Sequence, residues 1–158
     1  MKRIKIFLAS SITEFEEERL ELKDFVRRQE DVLIDNNIRI RLFMCEYADN
    51  TIAIGRKQGE YNAEIEDSDI FFMLVGKKLG EYTLEEYRYA QNVLKSKGKP
   101  LVYIAFKQCG ETNEEVKMFL KEVSLLEKNS KEVCVGNFNM ISELKEFIFD
   151  AINKELNK

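Results

Sequence analysis

Histidine is absent from this chain of 158 residues, and that absence removes whole classes of chemistry. Ser-His-Asp and Cys-His hydrolases are excluded, as are zinc sites that need imidazole ligands. Acid, base or charge-stabilising chemistry near neutral pH falls to carboxylates, lysines, tyrosines or thiols. The cysteines Cys45, Cys109 and Cys134 are odd in number and show neither a CxxC pair nor metal-ligand spacing. That is the pattern of reduced thiols in a cytoplasmic protein, and no metal is expected. No stretch reaches the ~20 apolar residues that span a bilayer, and no lipidation motif is present. The apolar run in MKRIKIFLASSITEF is too short for a signal-peptide core and runs straight into an acidic helix, so it reads as a strand. There is also no basic stripe: the net charge of −4 is spread along alternating lysines, arginines and acids. Neither nucleic acid nor membrane is therefore expected as a partner.

What is present is an even 44% of apolar residues without a compositional break, repeat or low-complexity linker. This suits a single domain over 1–158, large enough to bury a core. Five β-rich runs, at 4–9, 38–45, 70–75, 101–106 and 133–135, alternate with stretches of helical period. Strands separated by helices imply crossovers, hence an α/β fold with a mainly parallel sheet covered on both faces. IFFMLV and PLVYIAF are continuously apolar, as buried central parallel strands are.

Two helices carry charges where apolar residues belong. In the first, expected at about 13–31, Thr13 and Glu16 have the spacing of a capping box, and Phe15, Leu22, Phe25 and Val26 form the inward face. Glu18 and Arg19 fall on the shoulders of that face, where they need partners or a task. Arg19 is a candidate to bind phosphate or to orient a carboxylate, with Glu18 as its partner. In the helix expected at about 83–97, Ala90, Val93 and Leu94 set the buried stripe, and Gly98 before Lys99-Pro100 marks its stop. Glu86 precedes Ala90 by four residues and lies on that stripe, whereas Glu85 is rotated about 100° away. An inward carboxylate in the first turns of a helix is costly unless paired or used, although the helix dipole offsets part of that cost.

Ligands of open parallel sheets bind beyond the carboxyl ends of the strands. This selects segments 10–13, 46–58, 76–86 and 107–113. Ser10 and Ser11 suit a phosphate or ribose hydroxyl, though both residue types also serve ordinary turns. Glu46 opens the longest irregular stretch, EYADNTIAIGRKQGE, whose length suits a loop covering a site or a plain surface loop. Gly76 and Tyr82 lie in the third segment with Glu86. Glu86 is the candidate catalytic residue, and Ser10, Ser11, Arg19, Glu46, Gly76 and Tyr82 are the candidate substrate contacts.

The blocks KIFLASSITEFEEER, YNAEIEDSDIFFMLVG, YTLEEYRYA and GKPLVYIAF resemble, in order and spacing, those of the Toll/interleukin-1 receptor (TIR) superfamily, and more closely bacterial TIR-like domains. The match covers roughly the first two thirds of the chain. It departs at Tyr82-Thr83-Leu84, where members often carry a Trp-Cys pair, and in the loop after the second strand. The resemblance implies a flavodoxin-like sheet of order 2-1-3-4-5 with helices on both faces. It also implies cleavage of NAD, as substrate rather than cofactor, at its nicotinamide-ribose bond. Glu86, in Glu86-Tyr87-Arg88-Tyr89-Ala90, stands at the position of the family's catalytic glutamate. Self-association for activity and a part in bacterial antiphage signalling belong to the same implication. Two alternatives remain open at this level. One is a nucleoside 2-deoxyribosyltransferase-like enzyme, which base exchange would reveal; the other is a non-enzymatic self-association module, which Glu86→Ala would leave intact.

Overall fold

The computed structural model describes residues 1–44 and 54–158, with the backbone alone at 54–58. Its strands are β1 (Lys2–Ala9), β2 (Ile38–Met44), β3 (Ile70–Val75), β4 (Leu101–Lys107) and β5 (Val133–Phe138). Its helices are α1 (Glu16–Leu33), α2 (Ile54–Asp67), α3 (Glu81–Lys97), α4 (Glu114–Asn129) and α5 (Ile141–Leu156). All neighbouring strands pair in parallel, in the order β2-β1-β3-β4-β5. This is the flavodoxin-like arrangement expected above.

Alternation along each strand divides the interior into two cores. On one face Ile4, Ile6, Leu8, Phe72, Leu74 and Tyr103 pack against Leu22 and Val26 of α1 and Leu144, Ile148 and Ile152 of α5. On the other, Phe7, Phe71, Met73, Val102 and Ile104 meet Ile65 of α2, Tyr87, Ala90 and Leu94 of α3, and Phe119 and Val123 of α4. Every residue of β3 is buried, which explains its unbroken apolar sequence. Each fully buried large side chain stabilises the fold by about 1.5–3 kcal/mol before chain entropy is counted.

Several boundaries differ from the sequence reading. α1 begins at Glu16 rather than near Thr13, because the Ser11–Phe15 stretch forms a turn first. No capping box forms there: the N-cap is Phe15 without a side-chain cap, and the Thr13 hydroxyl is 3.3 Å from that of Ser11. β5 continues to Phe138, which pairs with Lys107 and is 2% exposed. As an edge strand with polar Gly136 and Asn137 in it, its far half carries no apolar run to read. α3 ends as expected at Gly98, whose φ of 77° is left-handed and whose N–H returns to the Leu94 carbonyl.

Both sheet edges are capped by a glutamate from a neighbouring helix. On β2 the Ile40 N–H donates to Glu30 Oε2 of α1 at 2.8 Å, and on β5 the Val135 N–H donates to Glu127 Oε2 of α4 at 2.6 Å. Unpaired strand N–H groups at an edge otherwise invite pairing with another chain.

Tyr87 shows a polar group held in the interior at a cost. Its ring is fully buried, edge-on to Phe119 at 4.9 Å, and its hydroxyl has no hydrogen-bond partner among the described residues. Burial pushes its pKa from 10.0 up to about 12. Tyr87→Phe should therefore raise stability by about 1 kcal/mol at neutral pH. Because the folded state favours the neutral phenol, that gap should widen further as pH rises from 10 through about 12, and should stay constant with pH below 10. Urea melts of both proteins across that range check the sign.

Candidate active site

The carboxyl ends of β1, β3 and β4 open onto one edge of the sheet, where the starts of α1 and α3 also lie. Ser10 directly follows β1 and is 6% exposed; its hydroxyl accepts a hydrogen bond from Arg19 Nη1 of α1 at 3.0 Å. Glu18, 5% exposed, turns the other way and accepts from Lys107 Nζ, at the end of β4, at 2.6 Å. That carboxylate raises the Lys107 pKa above the ordinary lysine value. The expected Glu18–Arg19 pair is thus replaced by two separate contacts. Adjacent helix positions diverge by about 100°, so each side chain reaches a different strand end.

Glu86 lies in the second turn of α3 and is buried, whereas Glu85 is exposed, as helical phase requires. Like Arg19, Glu86 is not without a partner in the fold. Buried charges persist only when neighbours replace the water they lose, so removing one side of such an arrangement is strongly destabilising.

Gly76 follows the last residue of β3 and is itself buried. The Glu14 carboxylate lies directly over it, so that a Cβ at position 76 would overlap the carboxylate. The Lys77 N–H donates to Glu14 Oε2 at 2.8 Å. Around this contact lies a cleft of about 440 Å³, lined by Ser11, Thr13, Glu14, Lys77, Lys78 and Gly80. The structure thus places Ser10 and Arg19 in direct contact, puts Ser11 in the cleft, and sets Gly76 beneath Glu14. Tyr82 is half-buried in the first turn of α3 and is not part of the cleft wall. Glu46 lies outside the described residues.

No sequence pattern singles out Glu14, Lys77, Lys78 or Lys107. The capping spacing at Thr13 places Glu14 within a helix that in fact starts two residues later. The available signal was Gly76 itself, a glycine placed directly after an all-apolar strand, where a close approach is common.

The family model described as "Domain of unknown function (DUF4062)" matches residues 5–153. The chain belongs to DUF4062. No curated protein matches this DUF4062 chain. Among solved structures, the crystal structure of the flavodiiron protein from Giardia intestinalis is similar at 15% identity and a TM-score of 0.46. The similarity covers 96% of this chain and 34% of that one, so the DUF4062 chain spans about a third of that protein's length. No helix among the described residues is long and apolar enough to cross a membrane.

Chemically, this edge offers Arg19, Lys77, Lys78 and Lys107 as cations, two small hydroxyls at Ser10 and Ser11, and one buried carboxylate on each of α1 and α3. The set suits an anionic substrate with a reacting centre that becomes positively charged. The packing of Glu14 on Gly76 is open to a double-mutant cycle. Gly76→Ala should cost about 1 kcal/mol by displacing the Glu14 carboxylate from the Lys77 N–H. In a Glu14→Ala background the same change should be neutral, or stabilising by about 0.5 kcal/mol, through reduced unfolded-chain freedom. Equal effects in both backgrounds, measured by urea denaturation, would rule the contact out.

Proposed function

We propose that this domain hydrolyses an N-glycosidic bond of a nucleotide, with NAD as substrate and Glu86 as the catalytic carboxylate. The observation that carries the reading is the burial of Glu86, at 6% exposure, on the carboxyl edge of a 2-1-3-4-5 parallel sheet. The sequence resemblance to TIR-like domains supplies the bond.

Nicotinamide bonded to ribose is a cationic pyridinium, so it leaves as a neutral pyridine without needing a proton. That fits a chain with no histidine. The C1′–N bond breaks with its electron pair moving to nicotinamide, and positive charge develops on the ribose. A carboxylate fixed beside the ribose lowers the energy of that oxocarbenium-like state, the more so in a site from which water is largely excluded. Water then bonds to C1′ and releases a proton. In this reading Glu86 stabilises the developing charge and binds ribose hydroxyls, while Arg19, held through Ser10, adds positive potential on the anionic side of the substrate. Tyr82 is a stacking contact or part of a lid. Self-association and a role in bacterial antiphage signalling remain part of the proposal.

The test is nicotinamide release from NAD at high protein concentration, where self-association is favoured, for wild type and Glu86→Ala side by side. The wild type is expected to be active and the variant to lose at least a hundredfold in rate, the scale set by losing one preorganised charge-stabilising group. Activity that survives the substitution would sink the mechanism. Base exchange with deoxynucleosides, without nicotinamide release, would instead assign a deoxyribosyltransferase-like reaction to the same carboxylate.

A further inference from the structure

The cleft between the β1–α1 turn and the segment after β3 already holds an anion, and that anion belongs to the protein. Glu14 projects its carboxylate across from the turn to the far wall, over Gly76, and takes the Lys77 N–H at 2.8 Å. The carboxylate occupies the space a Cβ at position 76 would take, so any other residue there would make the Glu14 side chain swing aside. Ser11 and Thr13 bring hydroxyls to the same cleft, 3.3 Å from each other, and Lys77 and Lys78 are exposed at its wall. One backbone N–H holds the Glu14 carboxylate, and the two hydroxyls and two exposed lysines that line the same cleft complete a donor set of the kind that binds phosphate oxygens.

We propose that this cleft is a diphosphate subsite and that Glu14 is its internal stand-in, a gate that a substrate's phosphate oxygens displace. The inference rests on the nucleotide reading above only for the expectation that a diphosphate arrives there. It moves the phosphates from the Ser10–Arg19 contact to the neighbouring cleft that Ser11 lines, and adds a cost for entering it. With Glu14 seated, the cleft favours ligands whose phosphates carry enough charge to replace a carboxylate, so a nucleoside or a free base gains nothing from it. The turn that carries Glu14 runs directly into α1, which holds Glu18 and Arg19 in its first turns. Displacing Glu14 therefore acts on the segment that positions Arg19 against Ser10.

The test uses inorganic pyrophosphate, which has no glycosidic bond, so its outcome is independent of whether Glu86 cleaves NAD. Binding is followed by calorimetry and by the amide resonance of Lys77. Glu14→Gln keeps the side-chain shape and removes the charge. It should tighten pyrophosphate binding about tenfold, with Lys77 among the amides that move most. Replacing Lys77 and Lys78 together by alanine should abolish the gain. Glu17→Gln, an equal charge change on an exposed neighbouring residue, should leave affinity unchanged. Thermal melts establish that each variant is folded. The proposal is overturned if Glu14→Gln binds no tighter than wild type, if Glu17→Gln produces the same gain, or if the Lys77 amide does not respond.

Discussion

Every strand of this sheet lies parallel to its neighbours, and that constraint organises the rest of the molecule. Parallel neighbours cannot be joined by tight turns, so each connection must cross a face of the sheet, here as a helix. Helices on both faces demand apolar residues on both sides of the central strands, which β3 and β4 provide. The same crossovers bring every strand's carboxyl end to one edge, followed by a loop and the start of a helix. Polar chemistry collects there because the interior has no room for it.

Three contacts among the described residues tie the start of α1 to that edge. Ser10 with Arg19, Glu18 with Lys107, and Glu14 with the Lys77 N–H each link α1 or the turn before it to a different strand end. The first turns of α1 thus serve as a bracket across β1, β3 and β4. Desolvating ions is expensive, and hydrophobic residues of the same size would often stabilise a protein as well or better. Four charged side chains are buried among the described residues, and the gathering of three of them, Glu18, Arg19 and Glu86, at this one edge is better explained by a task than by stability.

The features legible in the sequence were those written in a period. The alternation of apolar runs and helical stretches gave the fold class, and β3 falls on the same residues in both readings. Helical phase separated buried Glu86 from exposed Glu85 and marked Glu18 and Arg19 as inward-facing. Partners were not legible. Lys107 lies 89 residues from Glu18, and Lys77 lies 63 residues from Glu14. Nothing local distinguishes those lysines from the solvated ones. The Thr13 capping spacing was a local signal that the turn after β1 overrode, using Ser11 to accept the Glu14 N–H at 3.3 Å instead. The strand order came from family resemblance, since periodicity is silent about which strands are neighbours.

The glutamates that cap β2 and β5 bear on how copies of this domain could ever meet. Glu30 and Glu127 occupy one outward N–H on each edge strand, and each places a negative charge where an incoming strand would have to lie. An added strand would have to evict that carboxylate and leave it without the N–H it accepts. Each edge is thereby obstructed at one point without the sheet being rolled into a barrel. Copies joined through helix faces or loops would leave both carboxylates in place, each copy keeping its own five strands, and such an assembly could come apart again without unravelling a shared sheet.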